Sequence, residues 1–160
     1  MKLKERVHCS GKIPAGVLLL ALVAGMIPVV PLSAFQADAS ASLGKLKSMA
    51  EAQHEIVILL IKKQEYDQAA AEGNKIFDMK WPGDQEPLLL KELLNLADAF
   101  LQQGQAPSGL RLIERNSKYF RKTSSQASIF KEMGYLYKSL KQDDKAIEYF
   151  KKARNLEGSK

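Results

Sequence analysis

The chain has 160 residues, with 24 Lys+Arg against 18 Asp+Glu for a net charge of +6, 46% hydrophobic residues and 26% charged ones. That length holds one domain, and that balance excludes a wholly disordered chain. A single cysteine, Cys9, excludes an intrachain disulfide framework and any cysteine-rich zinc or iron–sulfur site.

Residues 1–12 carry Lys2, Lys4, Arg6 and Lys12 against Glu5. The run Ile13 to Leu32 then carries no charge; its unbroken core, Val17 to Ile27, ends at Pro28. Small residues follow: Ser33, Ala34, Ala37, Ala39, Ser40 and Ala41. Basic, apolar, then small is the order of a secretory signal with its peptidase site. Ala37-Asp38-Ala39 and Ala39-Ser40-Ala41 both suit a cut, and one after Ala34 is a third place. The cut after Ala39 is preferred, which makes 1–39 a signal peptide and 40–160 the working domain. The alternative is an uncleaved membrane anchor, since residues 13–32 match the ~20 residues of a spanning helix. Pro14, Pro28 and Pro31 shorten its best helical stretch. Either way the basic end stays on the cytoplasmic side, and the rest is expected to be exported, periplasmic or secreted. Cys9 precedes the apolar run, so it is not a lipoprotein cysteine. A cut at 39 removes Lys2, Lys4, Arg6, Lys12, Glu5 and Asp38, leaving a thiol-free domain of net charge +4.

From Leu43 onward apolar residues recur at three- and four-residue spacing with no period-2 alternation, which predicts amphipathic helices throughout. The first is expected over 43–63, with Met49, Ala52, Ile56, Val57 and Leu60 on one face. The second spans 66–79, with Ala69, Ala70, Ile76 and Phe77. Trp81-Pro82-Gly83-Asp84 breaks the pattern; Asp84 is the expected cap of the third helix and Pro87 fits its first turn. That helix, 87–103, carries Leu88, Leu89, Leu90, Leu93, Leu94, Leu96 and Phe100, and Gly104 ends it. The fourth spans 106–119 with Leu110, Leu112 and Ile113. The fifth spans 126–140, capped by Ser124 or Ser125, with Ile129, Phe130, Met133, Leu136 and Tyr137. The sixth spans 144–156, capped by Asp143, with Ala146, Ile147, Phe150 and Ala153. The links Gln64-Glu65, Gly104-Gln105 and Lys141-Gln142 are short enough to force antiparallel pairs. The expected fold is therefore all-α: three antiparallel hairpins.

The last hairpin carries a sharper pattern: Phe130, Met133-Gly134 and Tyr137 on its first helix, then Ala146, Phe150 and Ala153 on its second. This resembles a tetratricopeptide repeat, whose period is 34 residues. Met133 stands in place of the usual Leu, and Lys141 in place of the usual turn glycine. Gly134 and Ala146 are small enough to let two helices approach, and Tyr137 and Phe150 fill the space beside them. Weaker copies precede it: Leu93, Leu96-Ala97, Phe100, Gly104, Gly109 and Ile113, and before them Ile56-Val57, Leu60, Tyr66-Asp67-Gln68-Ala69 and Ile76, with Gly73 and Asn116 departing from the frame. The units start near Ala50, Leu90 and Ala127 and extend over about 50–83, 90–123 and 127–160. About three such units are the minimum for a stable array.

The resemblance implies an α-solenoid whose first helices line a concave groove. The family's groove positions fall on Glu51, His54, Ile58, Ile61 and Lys62, then Lys91, Leu94, Asp98, Leu101 and Gln102, then Ser128, Lys131, Tyr135, Lys138 and Ser139. Apolar in the middle and basic toward the C-terminus, such a groove suits an extended or helical peptide with apolar anchors and acidic residues. The clamp by which some members hold a C-terminal carboxylate maps onto His54, Ile58, Asn95, Ser128 and Glu132, and only Asn95 matches. The implied role is a protein-binding scaffold, with a membrane-tethered assembly subunit as the alternative.

Other chemistry is thin. His54 is the one histidine after the apolar run, so no histidine cluster can hold a metal. Asp143 and Asp144 read as capping residues, and no phosphate-binding glycine loop occurs. Neither catalytic residues, nor a cofactor, nor nucleic acid binding is expected. Arg111, Arg115, Lys118, Arg121 and Lys122 suit the C-terminal end of a helix dipole. Trp81 is expected to pack on a hairpin. With only Glu157–Lys160 after the sixth helix, the outer face of the last hairpin is expected to stay uncovered, open to weak self-association or partner docking.

Overall fold

A computed structural model describes residues 32–158, with side chains described from Ser40 onward. The basic segment and almost all of the apolar run lie outside the described residues, as does the signal-or-anchor reading that rests on them. Within the described residues six α-helices follow one another: α1 Leu32–Lys62, α2 Tyr66–Asp78, α3 Glu86–Gln102, α4 Ala106–Asn116, α5 Thr123–Ser139 and α6 Asp143–Glu157. Short 3-10 turns at Gly83–Gln85 and Ser117–Tyr119 precede α3 and follow α4. Among the described residues there is no strand, and no helix is long and apolar enough to cross a membrane.

The helices pack as sequential hairpins, α1 on α2, α3 on α4 and α5 on α6. Neighbouring hairpins join through α1 on α3, α2 on α4, α3 on α5 and α4 on α5, whereas α6 rests chiefly on α5. The result is a helical repeat-like fold around one core. Val57, Leu60, Ile61, Ile76 and Phe77 enter that core from the first hairpin. Leu89, Leu93, Leu96, Phe100, Leu112 and Ile113 come from the second, and Ile129, Met133 and Leu136 from the third. Each such side chain contributes about 1.5–3 kcal/mol by leaving water.

The three turns share one construction. Gln64, Gly104 and Lys141 all have positive φ, at 63°, 69° and 56°. In each, the next N–H reaches back to a carbonyl five residues earlier: Glu65 to Leu60, Gln105 to Phe100 and Gln142 to Tyr137. The positive-φ residue donates to Ile61, Leu101 or Lys138. This is the Schellman end of a helix, which satisfies carbonyls left over at its last turn. Because the motif recurs at Gln64, Gly104 and Lys141, it fixes the repeat register: residues 40 apart are equivalent between the first two hairpins, and 37 apart between the last two. Val57, Ala97 and Gly134 then correspond, as do Ala69, Gly109 and Ala146.

Several boundaries depart from the sequence pattern. α1 starts at Leu32 and not at Leu43, α5 at Thr123 and not at Gln126. α4 stops at Asn116, where the chain turns to bury Phe120. The expected side-chain caps are absent: the capping positions are Gln85, Lys122 and Gln142, none with a side-chain capping bond. Asp84 lies in the 3-10 turn, while Asp143 and Asp144 sit in the first turn of α6, where their charge favours the helix N-terminus. The apolar face of α1 is also divided. Val57, Leu60 and Ile61 are buried, but Met49, Ala52 and Ile56 point to solvent, because α2 and α3 cover only one side of the helix.

The last hairpin is built from rings. Tyr149 stacks on Tyr137 with centroids 5.2 Å apart, Phe130 lies 5.9 Å from Tyr149, and Tyr135 meets Phe150 edge-on at 5.2 Å. Met133, Gly134, Ala146 and Ala153 are buried; Phe130, Tyr137 and Phe150 are half-buried. A Cβ on Gly134 would fall 2.7–2.9 Å from the Phe150 ring, so glycine is what lets α6 lie this close. Trp81 packs on the first hairpin and donates its indole N–H to the Ile76 carbonyl at 2.7 Å.

Candidate functional site

The first helices of the hairpins, α1, α3 and α5, lie side by side and enclose two hollows on one face. The first, about 690 Å³, opens between α1 and α3. Glu51, His54 and Lys91 line it, together with Lys47, Glu55, Glu92 and Asn95, over an apolar floor that includes Ala50, Leu89 and Trp81. The second, about 560 Å³, opens between α3 and α5 and is lined by Asp98, Leu101, Glu132, Tyr135, Lys138 and Ser139. The geometry thus gathers eight of the expected groove residues: Glu51, His54 and Lys91 in one hollow; Asp98, Leu101, Tyr135, Lys138 and Ser139 in the other.

The remaining positions fall elsewhere. Ile61 belongs to the core and is not a groove residue, because its face of α1 is the one that α2 and α3 cover. Ile58 is half-buried against that core. Leu94 and Ser128 are half-buried, and Lys62, Gln102 and Lys131 are exposed outside both hollows.

The charges are arranged across helices. His54 donates from Nδ1 to a carboxylate oxygen of Glu92 at 2.7 Å, joining α1 to α3. Across the second hollow Asp98 and Glu132 face each other. Burial first, and then the Asp98 charge, push the Glu132 carboxyl above the usual carboxylate range. Asp98 takes a hydrogen bond from Gln102 at 2.7 Å. Glu92 and Glu132 carry no periodicity signal of their own. The pairing of α1 with α3 brings Glu92 to the groove, and that of α3 with α5 sets Glu132, a clamp position of the repeat frame, opposite Asp98. The groove is accordingly of mixed charge along its length, and not simply basic toward the C-terminus.

The opposite side is knitted by α2 and α4. Arg111 pairs with Asp67 at 2.8 Å and Arg115 with Asp78 at 3.6 Å, so the basic cluster is engaged across hairpins as well as ending a helix. Asn116 donates to Asn74 at 2.8 Å and to the Leu112 carbonyl at 2.8 Å, a buried polar pair at the same junction. Glu86, at the head of α3, accepts the Lys122 N–H at 3.1 Å and so ties α3 to the start of α5. Burial would raise its pKa. Hydrogen bonds from the Ser125 hydroxyl and from the Lys122 and Arg121 N–H groups outweigh that and hold the carboxyl below its ordinary value.

No family model matches the chain, and no curated protein matches it either.

Proposed function

We propose that the domain is a tetratricopeptide-like binding module of an exported protein, and that it holds a segment of a partner protein across α1, α3 and α5. The observation that supports this most is the pair of adjoining hollows on that single face, the first over an apolar floor and both ringed by charges. Grooves of this kind take an extended or helical segment through a few apolar anchors, with charges setting direction. Leu101 and Tyr135 are the anchor contacts in the second hollow. Lys138 takes an acidic group of the partner, while Asp98 and Glu132 take a basic one. The role is binding, without catalysis, metal or cofactor. The test is crosslinking and recovery of partners from the native envelope, repeated with Tyr135→Ala and Lys91→Glu. The reading expects one partner to be recovered by the native chain and lost with either substitution. Unchanged recovery with both would contradict it.

A second reading keeps residues 13–32 as a tether for an assembly subunit. It draws on the continuity of α1, which runs from Leu32 into the first hairpin without a linker. The intact mass of the protein in membranes separates the two: a chain starting near Ser40 removes the tether, and a full-length one removes free secretion.

A further inference from the structure

The repeat register gives the solvent-facing side of α1 a meaning. Met49, Ile56 and Leu59 are 49%, 44% and 56% exposed and lie along one stripe of the helix. Forty residues on, Met49 and Ile56 become Leu89 and Leu96, which are 7% and 0% exposed. A further 37 residues on, Ile56 and Leu59 become Met133 and Leu136, again buried at 5% and 0%. What buries these counterparts is the preceding hairpin. A Cδ1 atom of Leu96 lies 3.5 Å from the place where Gly73 of α2 would carry a Cβ, and Leu136 lies 3.1 Å from the same place at Gly109 of α4. The α1 stripe therefore has the register and the residue types of a face that receives a preceding hairpin.

The other half of such a junction is uncovered at the far end. Leu110 of α4 belongs to the core and is 7% exposed, but its counterpart on α6, Ile147, is 51% exposed. Phe150, one turn on from Ile147, meets the ring of Tyr135, which is 44% exposed. Four of the six large exposed hydrophobics among the described residues thus belong to the two ends of the stack, Met49, Ile56 and Leu59 at one and Ile147 at the other. The flanking charges are complementary. Lys131 and Lys138 border the α5 edge, and Glu51 and Glu55 border the α1 edge. Lys131 occupies the register position of His54, which already pairs with a carboxylate of the next hairpin.

We infer that copies of this chain stack head to tail, the α1 face of one copy packing on the α5–α6 face of the next. The contact is heterologous, so each added copy brings a further free face and the assembly grows beyond the dimer, its rotation setting whether it ends in a ring or an open chain. It needs no occupant in the groove, although Glu51 and Lys138, which flank the junction, also line the hollows.

Sedimentation velocity of the full chain in mild detergent, across a concentration series, tests this with Ile56→Glu and Ile147→Glu. Both side chains are exposed, so neither substitution disturbs the fold. The native chain is expected to pass from monomer through dimer to larger species. Each single variant buries an unpaired carboxylate at the junction and is expected to associate at least about tenfold more weakly. An equimolar mixture of the two variants retains one intact junction and is expected to give a heterodimer and nothing larger. A native chain that stays monomeric throughout overturns the inference. So does an Ile147→Glu chain that assembles like the native one, which points to α1 pairing with α1. A mixture no more associated than its components also overturns it, as does assembly that survives both substitutions in one chain, which points to residues 13–32.

Discussion

Glu86 illustrates how much a single side chain can hold. Sequence pattern marks it only as an acid in the first turn of a helix, yet its carboxylate organises the start of α5, 36 residues later. Hydrogen bonds to a charged group contribute about 1.5–3 kcal/mol each, less the cost of burial. Glu86→Gln is therefore expected to lower stability by about 1–2 kcal/mol at neutral pH in urea titrations. Its folded-state pKa is depressed, so this stability is present above the ordinary carboxylate value. It is lost as pH falls through the lower folded value. The difference between native and variant should shrink over that window and vanish below it; a gap independent of pH would show that the carboxylate charge plays no part. Gly134 is the second such residue. Alanine there gains about 1 kcal/mol of helix propensity but drives a methyl into the Phe150 ring. Overpacking costs about 1–3 kcal/mol, and Phe150 must also leave Tyr135. Gly134→Ala should lower the melting temperature, and a rise would mean that α6 moves freely.

At the scale of the element, most of the fold was legible and the exceptions have physical reasons. The positions of α2, α3 and α6 followed from the three- and four-residue recurrence of apolar side chains, and the hairpin pairing followed from two-residue links. The start of α1 did not. Ala34, Ala37, Ala39 and Ala41 form a small-residue stretch that suits a peptidase site, but alanine is also the strongest helix former. The caps were misread because Gln85, Lys122 and Gln142 carry no capping bond, and α5 takes its N-terminal contact from Glu86 instead. In the groove, Glu51, His54, Lys91 and Tyr135 could be placed from the repeat frame. Glu92 could not, since its role arises only when α3 meets α1, and Glu132 falls on a clamp position of that frame but comes to face Asp98 only when α3 meets α5. The third turn gives a clean test of the shared construction. Lys141 holds a left-handed conformation that costs a non-glycine residue about 1 kcal/mol. Lys141→Gly should raise stability by about 0.5–1 kcal/mol, discounted for the greater freedom of glycine in the unfolded chain. Gly104→Ala at the equivalent turn should lower it. A loss of stability with Lys141→Gly, or a gain with Gly104→Ala, would break the claimed equivalence.

For the whole molecule, three hairpins in one register set their first helices side by side, and the groove is the consequence. Two of the second helices, α2 and α4, face the other way and are occupied with each other through Arg111–Asp67, Arg115–Asp78 and Asn116–Asn74. Binding belongs to one face on this account, and structural bonding to the other. The most direct test is a photo-crosslinking residue placed singly at Glu51, Asp98 and Tyr135 on the groove face, and at Glu114 and Lys151 on the α4 and α6 side, in the full chain in its native envelope. The account predicts adducts to one and the same partner from all three groove positions and none to that partner from the other two. Adducts to that partner from Glu114 or Lys151, with the groove positions silent, would contradict it.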